Sequence, residues 1–290
     1  MNLSSPSVVQ KILSEHGFHF SKALGQNFLT DASVCPRMAE QALVQDDMCA
    51  LEIGPGIGVL TKELALRAQK VVAVELDRRL FPVLEQTLGE FSNVKVVEGD
   101  AMKLPLAELI REEFGGQKVV ICANLPYYIT SPLIMRLLEE KLPVESITVM
   151  VQKEAAERLC AKVGSRDSGA VTVAVDYYAE PKILFGVGRG CFTPAPKVDS
   201  CVIQLTPRKQ PKYPVEDEAF FFALVRGAFS QRRKTILNSA SVGTGLSREV
   251  LQKAIEQSGL QPTARIETLS AEDLVRFANA AYCLKKESQK

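Results

Sequence analysis

The chain has 290 residues, room for one large domain and a small one, with 46% apolar and 24% charged side chains, no tryptophan and a net charge of +1. No apolar run approaches the roughly 18 residues that suggest a membrane span. The opening residues carry neither a basic nor an apolar leader segment, so the expected location is the cytoplasm, away from membranes. Two histidines, His16 and His19, and seven cysteines with no Cys-x-x-Cys pair argue against a metal site and against a histidine general base.

In chain order, the first 17 residues read as a helix closed by Gly17. Residues 22–31 show no clear period, and a second helix is expected from about Asp31 to Val44 despite Pro36. Short runs rich in β-branched residues follow at 49–53, 71–74, 94–97, 119–123 and 147–151. Amphipathic stretches separate them, at 60–68, 78–88 and 133–139 among others. Strands without polar alternation, divided by helices, predict a parallel sheet covered on both faces. Two closing strands are expected at 182–187 and 198–205, around a Gly/Pro-rich loop. Met102, Met135 and Met150 read as core fillers, and Tyr177 and Tyr178 as packing against the sheet. A proline-rich basic linker at 206–214 sets the expected boundary, giving an α/β domain at 1–206 and an all-helical domain at 207–290. The second holds 14 Lys/Arg against 9 Asp/Glu, a balance of +5, and the first a balance of −4, which suits a cofactor domain joined to a nucleic-acid-contacting module.

The strand ending at Ile53 runs into Gly54-Pro55-Gly56-Ile57-Gly58 and then a helix. Gly54 and Gly56 let the backbone approach a ligand where side chains would block it. Glu75, at the end of the next strand, is placed to accept hydrogen bonds from ribose hydroxyls, and Asp100, after the third, from an adenine amine. Ligands sit at the carboxyl edge of open α/β sheets, so these residues form one candidate cofactor site.

After the fourth strand comes Asn124-Leu125-Pro126-Tyr127. An adenine amine is a poor nucleophile because its lone pair is delocalised into the ring. The Asn124 oxygen and a backbone carbonyl can each accept one N–H and hold that nitrogen toward tetrahedral geometry. Pro126 fixes the local backbone, and Tyr127 offers a ring on which an extruded base can stack. The methyl carries positive charge and the leaving group is neutral, so positioning contributes most and no strong base is needed.

These residues, together with the block at 24–29 (Leu-Gly-Gln-Asn-Phe-Leu) and the block at 192–200 (Phe-Thr-Pro-Ala-Pro-Lys-Val-Asp-Ser), resemble the ribosomal RNA adenine dimethylase family. The resemblance implies a Rossmann-like class I S-adenosylmethionine methyltransferase domain followed by a small helical one. It implies that Asn27 and Leu29 touch the cofactor along with Gly54, Gly56, Glu75, Asp100 and Asn124, and that Phe192 clamps the target adenine against Tyr127. Its small-subunit branch dimethylates two adjacent adenosines in the 3′-terminal hairpin loop of 16S rRNA, in the immature small ribosomal subunit. Arg232, Arg233 and Lys234, within Phe-Ser-Gln-Arg-Arg-Lys-Thr, are the candidate phosphate contacts. Two readings compete: a macrolide-resistance-type methyltransferase of 23S rRNA, and a non-catalytic ribosome assembly factor. A DNA adenine methyltransferase is disfavoured, because those usually carry an aspartate where Asn124 stands. Monomer is the default expectation.

Overall fold

The computed structural model describes residues 3–17, 27–43 and 47–288. Val44, His19 and the part of the first motif at 24–26 lie outside the described residues. The chain divides into two compact units, Met1–Ala156 with Pro181–Pro207, and Glu157–Glu180 with Arg208–Lys290.

In the first unit, α1 (Pro6–Glu15) precedes a two-residue strand β1 (Phe28–Leu29) and α2 (Val34–Ala42). Asp31 stands before α2, its carboxylate accepting from the Ser33 N–H at 2.8 Å. Strands and helices then alternate as β2 (Cys49–Ile53), α3 (Val59–Ala65), β3 (Val71–Glu75), α4 (Phe81–Leu88), β4 (Val94–Glu98), α5 (Leu106–Phe114), β5 (Val119–Asn124), α6 (Thr130–Glu139) and β6 (Ser146–Gln152). Helix α7 (Lys153–Leu159) follows and, past α8 (Ala170–Tyr178) of the second unit, β7 (Ala179–Val187), β8 (Phe192–Thr193) and β9 (Ser200–Pro207).

Seven strands form one sheet in the order β4-β3-β2-β5-β6-β9-β7. The first five of these are parallel, and β9 returns antiparallel against β6. β2 and β3 are buried at every position, as a sheet covered on both faces demands. One core cluster joins α2 and α3 to the sheet through Met38, Ala39, Leu64, Val120 and Met150, all at most 1% exposed. Another joins α1 to α4 through Ile12, Leu13, Val83 and Leu84. After β4 the chain doubles back to place β5 beside β2, so the strand order reverses at the β2–β5 gap. A crevice at the carboxyl ends of these two strands is where such a sheet holds a ligand. β1 and β8 form a separate antiparallel pair, with Leu29 opposite Phe192.

The second unit is helical: α8, then α9 (Glu218–Ser230), α10 (Ile236–Thr244), α11 (Arg248–Ser258) and α12 (Ala271–Glu287). Side chains cap the starts of α9, α11 and α12, with Asp217, Ser247 and Ser270 accepting from backbone N–H groups. Ser270 and Asp273 close a reciprocal capping box.

The partition departs from the expected 1–206 and 207–290 in one segment. Residues 157–180, read as part of the α/β domain, group with the C-terminal helices. Tyr177 and Tyr178 show the link: they lie in α8 with their rings against Phe221 and Phe222 of α9. The Tyr178 ring stacks on Phe222 at 5.2 Å, and both phenols donate to the Glu218 carboxylate. Of the three methionines read as core, only Met150 is fully buried, while Met102 lines a cavity.

Candidate active site

The parallel register brings the carboxyl ends of four strands to one edge, and backbone bonds fix the chain just past them. Gly54 N–H donates to the Val74 carbonyl at 2.9 Å, Gly99 N–H to Glu75 at 2.9 Å, and Leu125 N–H to Met150 at 3.1 Å. The glycine turn after β2 then rises with left-handed backbone, φ 60° at Gly56 and 87° at Gly58. A Cβ on Gly56 would also meet the Phe28 ring at 3.3 Å, so this turn tolerates only glycine without strain.

Glu75 is locked to that turn. One carboxylate oxygen accepts from the Gly56 N–H at 3.2 Å, the other from the Asp77 N–H at 2.8 Å. Burial raises its carboxyl above the ordinary range, while the N–H donors of Asp77, Gly56 and Leu76 pull it back down. Glu52 lies deeper, 1% exposed, with one carboxylate oxygen lacking any hydrogen-bond partner among the described residues. Burial pushes it up to about 8, and the nearby Glu75 carboxylate adds to that. Asp100 turns its loop by accepting from the Met102 N–H at 2.9 Å. Arg136, from α6, clasps the same loop by donating to the Leu104 carbonyl at 2.6 Å and to that of Ala101.

Asn124 ends β5, and its side-chain amide engages no described residue, which leaves it available to a ligand. The Pro126 carbonyl is already taken, by the Ile129 N–H at 3.2 Å and the Thr130 hydroxyl at 3.4 Å. Tyr127 is half-buried, and its phenol bonds the Ser200 hydroxyl at 2.8 Å. Burial raises that phenol and the Ser200 bond lowers it. Ser200 itself is 1% exposed at the start of β9. Phe192, 4% exposed, is held by the β1–β8 pair.

One cavity of about 280 Å³ is lined by Asn27, Leu29, Gly54, Gly56, Glu75, Asp100, Asn124, Pro126, Tyr127 and Phe192. Every candidate cofactor and catalytic residue read from the sequence therefore meets in it. Arg232, Arg233 and Lys234 lie in the other unit. There Arg232 donates to the Glu267 carboxylate at 3.0 Å and to the Arg166 carbonyl at 3.0 Å, whereas Arg233 and Lys234 are exposed. Sequence reasoning gave no role to Ser200, the last residue of the 192–200 block, to Arg136 or to Glu52's orphaned oxygen. Arg136 alone left a local trace, a cation amid the apolar residues of α6.

If the Tyr127 and Ser200 hydroxyls serve to hold the ring, Tyr127→Phe and Ser200→Ala each remove the same bond. Each is expected to slow turnover at this cavity about fivefold, the rate equivalent of one neutral hydrogen bond. The double variant is expected to be no slower than either single one. Single-turnover rates of the three proteins check this, and multiplying defects would show that the hydroxyls act separately.

A family model described as ribosomal RNA adenine dimethylase matches residues 17–282. A ribosomal RNA small subunit methyltransferase A from Geobacillus sp. (strain WCH70) is 44% identical over 283 residues, covering 96% of this chain and 97% of its own. The protein of the same name from Alkaliphilus oremlandii (strain OhILAs) is 46% identical over 278 residues, with the same coverage. Among solved structures, a dimethyladenosine transferase from Plasmodium falciparum superposes with a TM-score of 0.69 at 26% identity, over 86% of this chain and 95% of that one. The 23S rRNA methyltransferase ErmE gives 0.64 at 27%, over 88% and 100%.

Proposed function

The chain belongs to the ribosomal RNA adenine dimethylase family, and from that premise we propose that it dimethylates two adjacent adenosines in the 3′-terminal hairpin loop of 16S rRNA, with S-adenosylmethionine as methyl donor. The observation that carries this reading is the single cavity that joins the glycine turn and Glu75 to the tetrapeptide 124–127. The relatives named for the small-subunit reaction are 44% and 46% identical, against 27% for the 23S enzyme.

The residues present fit the cofactor. Glu75 is an anchored carboxylate with lone pairs to spare for ribose hydroxyls, and Asp100 offers an acceptor to an adenine amine. The left-handed glycine turn leaves room for close approach, and the orphaned Glu52 oxygen lies in the same cavity wall. Asn27 and Leu29 complete that wall. When bound, S-adenosylmethionine supplies a methyl group on a sulfonium, and its departure leaves a neutral thioether.

The chain's own residues act on the adenine. The Asn124 oxygen accepts one N–H of the exocyclic amine. With the Pro126 carbonyl occupied by Ile129 and Thr130, the Leu125 carbonyl is the backbone acceptor for the other. Two acceptors hold the nitrogen toward tetrahedral geometry and release its lone pair from the ring. Tyr127, braced by Ser200, and Phe192 hold the flipped base. A hairpin loop suits such a site, because its bases are splayed out at little cost.

The test is transfer of tritium from labelled S-adenosylmethionine into small ribosomal subunits that lack these methyl groups, with large-subunit RNA offered in a parallel reaction. The expected product is labelled dimethyladenosine in 16S rRNA. Label confined to large-subunit RNA would assign the 23S reaction instead, and tight subunit binding without transfer would assign an assembly factor.

The helical unit supplies phosphate contacts through Arg233 and Lys234, while Arg232 braces its own fold. Replacing Arg233 and Lys234 together by alanine is expected to leave the melting temperature in place. It should flatten the dependence of log K for RNA on log salt by about 2, roughly one per phosphate contact. Arg232→Ala is expected to cost about 1 kcal/mol of stability and to change that slope less. Titrations at several salt concentrations, paired with melting curves, separate the two roles. The protein acts as a monomer, in the cytoplasm, on the immature subunit. Among the described residues no helix is long and apolar enough to cross a membrane.

A further inference from the structure

Six large apolar or aromatic side chains are conspicuously exposed among the described residues, and two of them, Leu76 and Tyr128, line the active-site cavity. Exposed apolar surface at the mouth of a site marks a place that a ligand covers. The two residues lie on different sides of the chemistry. Leu76 follows Glu75 directly and belongs with the cofactor's ribose acceptor. Tyr128 follows the tetrapeptide directly and belongs with the base.

Tyr128 is 56% exposed, and among the described residues its hydroxyl makes no hydrogen bond and its ring stacks on no other ring, whereas the neighbouring Tyr127 is anchored to Ser200. Its backbone is nonetheless fixed. It is the middle residue of a single 3₁₀ turn, Tyr127–Ile129, held between the end of β5 and the start of α6. A rigidly mounted ring with a free face at the rim is a stacking platform, and such contacts tolerate any base because every base has a π-face.

A target base drawn in against Asn124 and Tyr127 leaves its neighbour in the strand at the rim, where Tyr128 stands. We propose that Tyr128 stacks on the nucleobase adjacent to the adenine being methylated and so holds the RNA loop splayed while Tyr127 engages the target. The proposal rests on the rRNA reading above and adds to it a contact with a second base. With two neighbouring adenosines as substrates, the partner base is the other adenosine of the pair during at least one of the two rounds. Tyr128 is then a specificity-determining residue for a tandem target, and its loss falls more heavily on one adenosine than on the other.

The experiment compares wild type, Tyr128→Ala and Tyr128→Phe on unmethylated small subunits, reading KM and kcat, and the methylation of each adenosine by primer extension. Calorimetric binding of S-adenosylmethionine is measured in parallel. Tyr128→Ala is expected to raise KM for the subunit about tenfold, within the range found for removing one stacking ring. It should also skew the ratio of the two modified adenosines, with cofactor affinity unmoved. Tyr128→Phe keeps the ring and is expected to recover most of the lost affinity. An unchanged KM in Tyr128→Ala, or a Tyr128→Phe as weak as the alanine variant, would overturn the stacking role. A parallel loss of cofactor affinity would also overturn it, assigning the ring to the cofactor. Failure of the underlying reading looks different, since wild type itself would then place no label in small-subunit RNA.

Discussion

Replacing Asn124 with alanine is expected to lower the rate of methyl transfer roughly 10³-fold, about 4 kcal/mol, while cofactor affinity falls by no more than a few-fold. The amide is the only side-chain acceptor in the tetrapeptide 124–127 without a partner, since Tyr127 is bound to Ser200. Its oxygen acts on the amine as the nitrogen rehybridises, so its interaction strengthens toward the transition state and appears mainly in kcat. Among the described residues no histidine lines the cavity, and His16 bonds Gln86 instead. Asn124→Asp keeps an acceptor oxygen in the same place and is expected to recover part of the rate. Single-turnover transfer with saturating cofactor and subunit, alongside calorimetry with S-adenosylmethionine, makes the measurement. A Asn124→Ala enzyme retaining a tenth or more of the rate would remove the amide from the chemistry and leave the backbone carbonyl to do the positioning.

The parallel sheet was legible because a sheet buried on both faces writes itself as short strands without polar alternation, as in Val71–Val74 of β3 and Val119–Ala123 of β5. The site was legible for a related reason. Parallel strands deliver their carboxyl ends to one edge, so residues that follow each strand meet without any long-range pairing having to be inferred. Three features resisted. The segment Ala170–Tyr178 alternates Val171, Val173 and Val175 with smaller residues, a strand-like period, yet folds as α8 because both of its faces are covered. Burial on all sides removes the polar stripe that marks a helix, and the proline-rich linker at 206–214, which set the expected boundary, gives no sign that residues 157–180 group with the C-terminal helices. The β1–β8 pair joins two-residue strands more than 160 positions apart, too short to leave a period in either. The Tyr127–Ser200 bond spans 73 positions, and nothing local marks that serine as the brace of an aromatic ring. The cation run 232–234 shows the same limit: three adjacent charges look equivalent until one is found bonded to Glu267 and to a carbonyl.

The largest stability effect is expected in the helical unit, at Gly227 and Gly243. Helices α9 and α10 cross there backbone to backbone. A Cβ built on Gly243 would lie 1.9 Å from the Ala223 carbonyl oxygen, and one on Gly227 would lie 2.2 Å from the Gly243 nitrogen. In both cases the obstacle is main chain, which cannot rotate away as a side chain can, so a single methyl must drive the helices apart. That separation opens the contacts of Phe221, Leu224, Ile236 and Ala240, all at most 2% exposed. Either Gly→Ala change is expected to cost on the order of 3 kcal/mol or more, the upper end for overpacking a tight core. The small gain in helix propensity that alanine brings, about 1 kcal/mol, runs the other way and is outweighed. The loss should stay within the unit that bears it. Melting is expected to split into two transitions, of which only the later one rises when S-adenosylmethionine is added, because the cavity is built from the other unit alone. Below the first transition, Gly227→Ala shifts the end of α9, which leads into Arg233 and Lys234, so RNA affinity should fall more than cofactor affinity. A single unsplit transition at the wild-type temperature would mean that the helices absorb the methyl, and the close crossing would not be what holds this unit together.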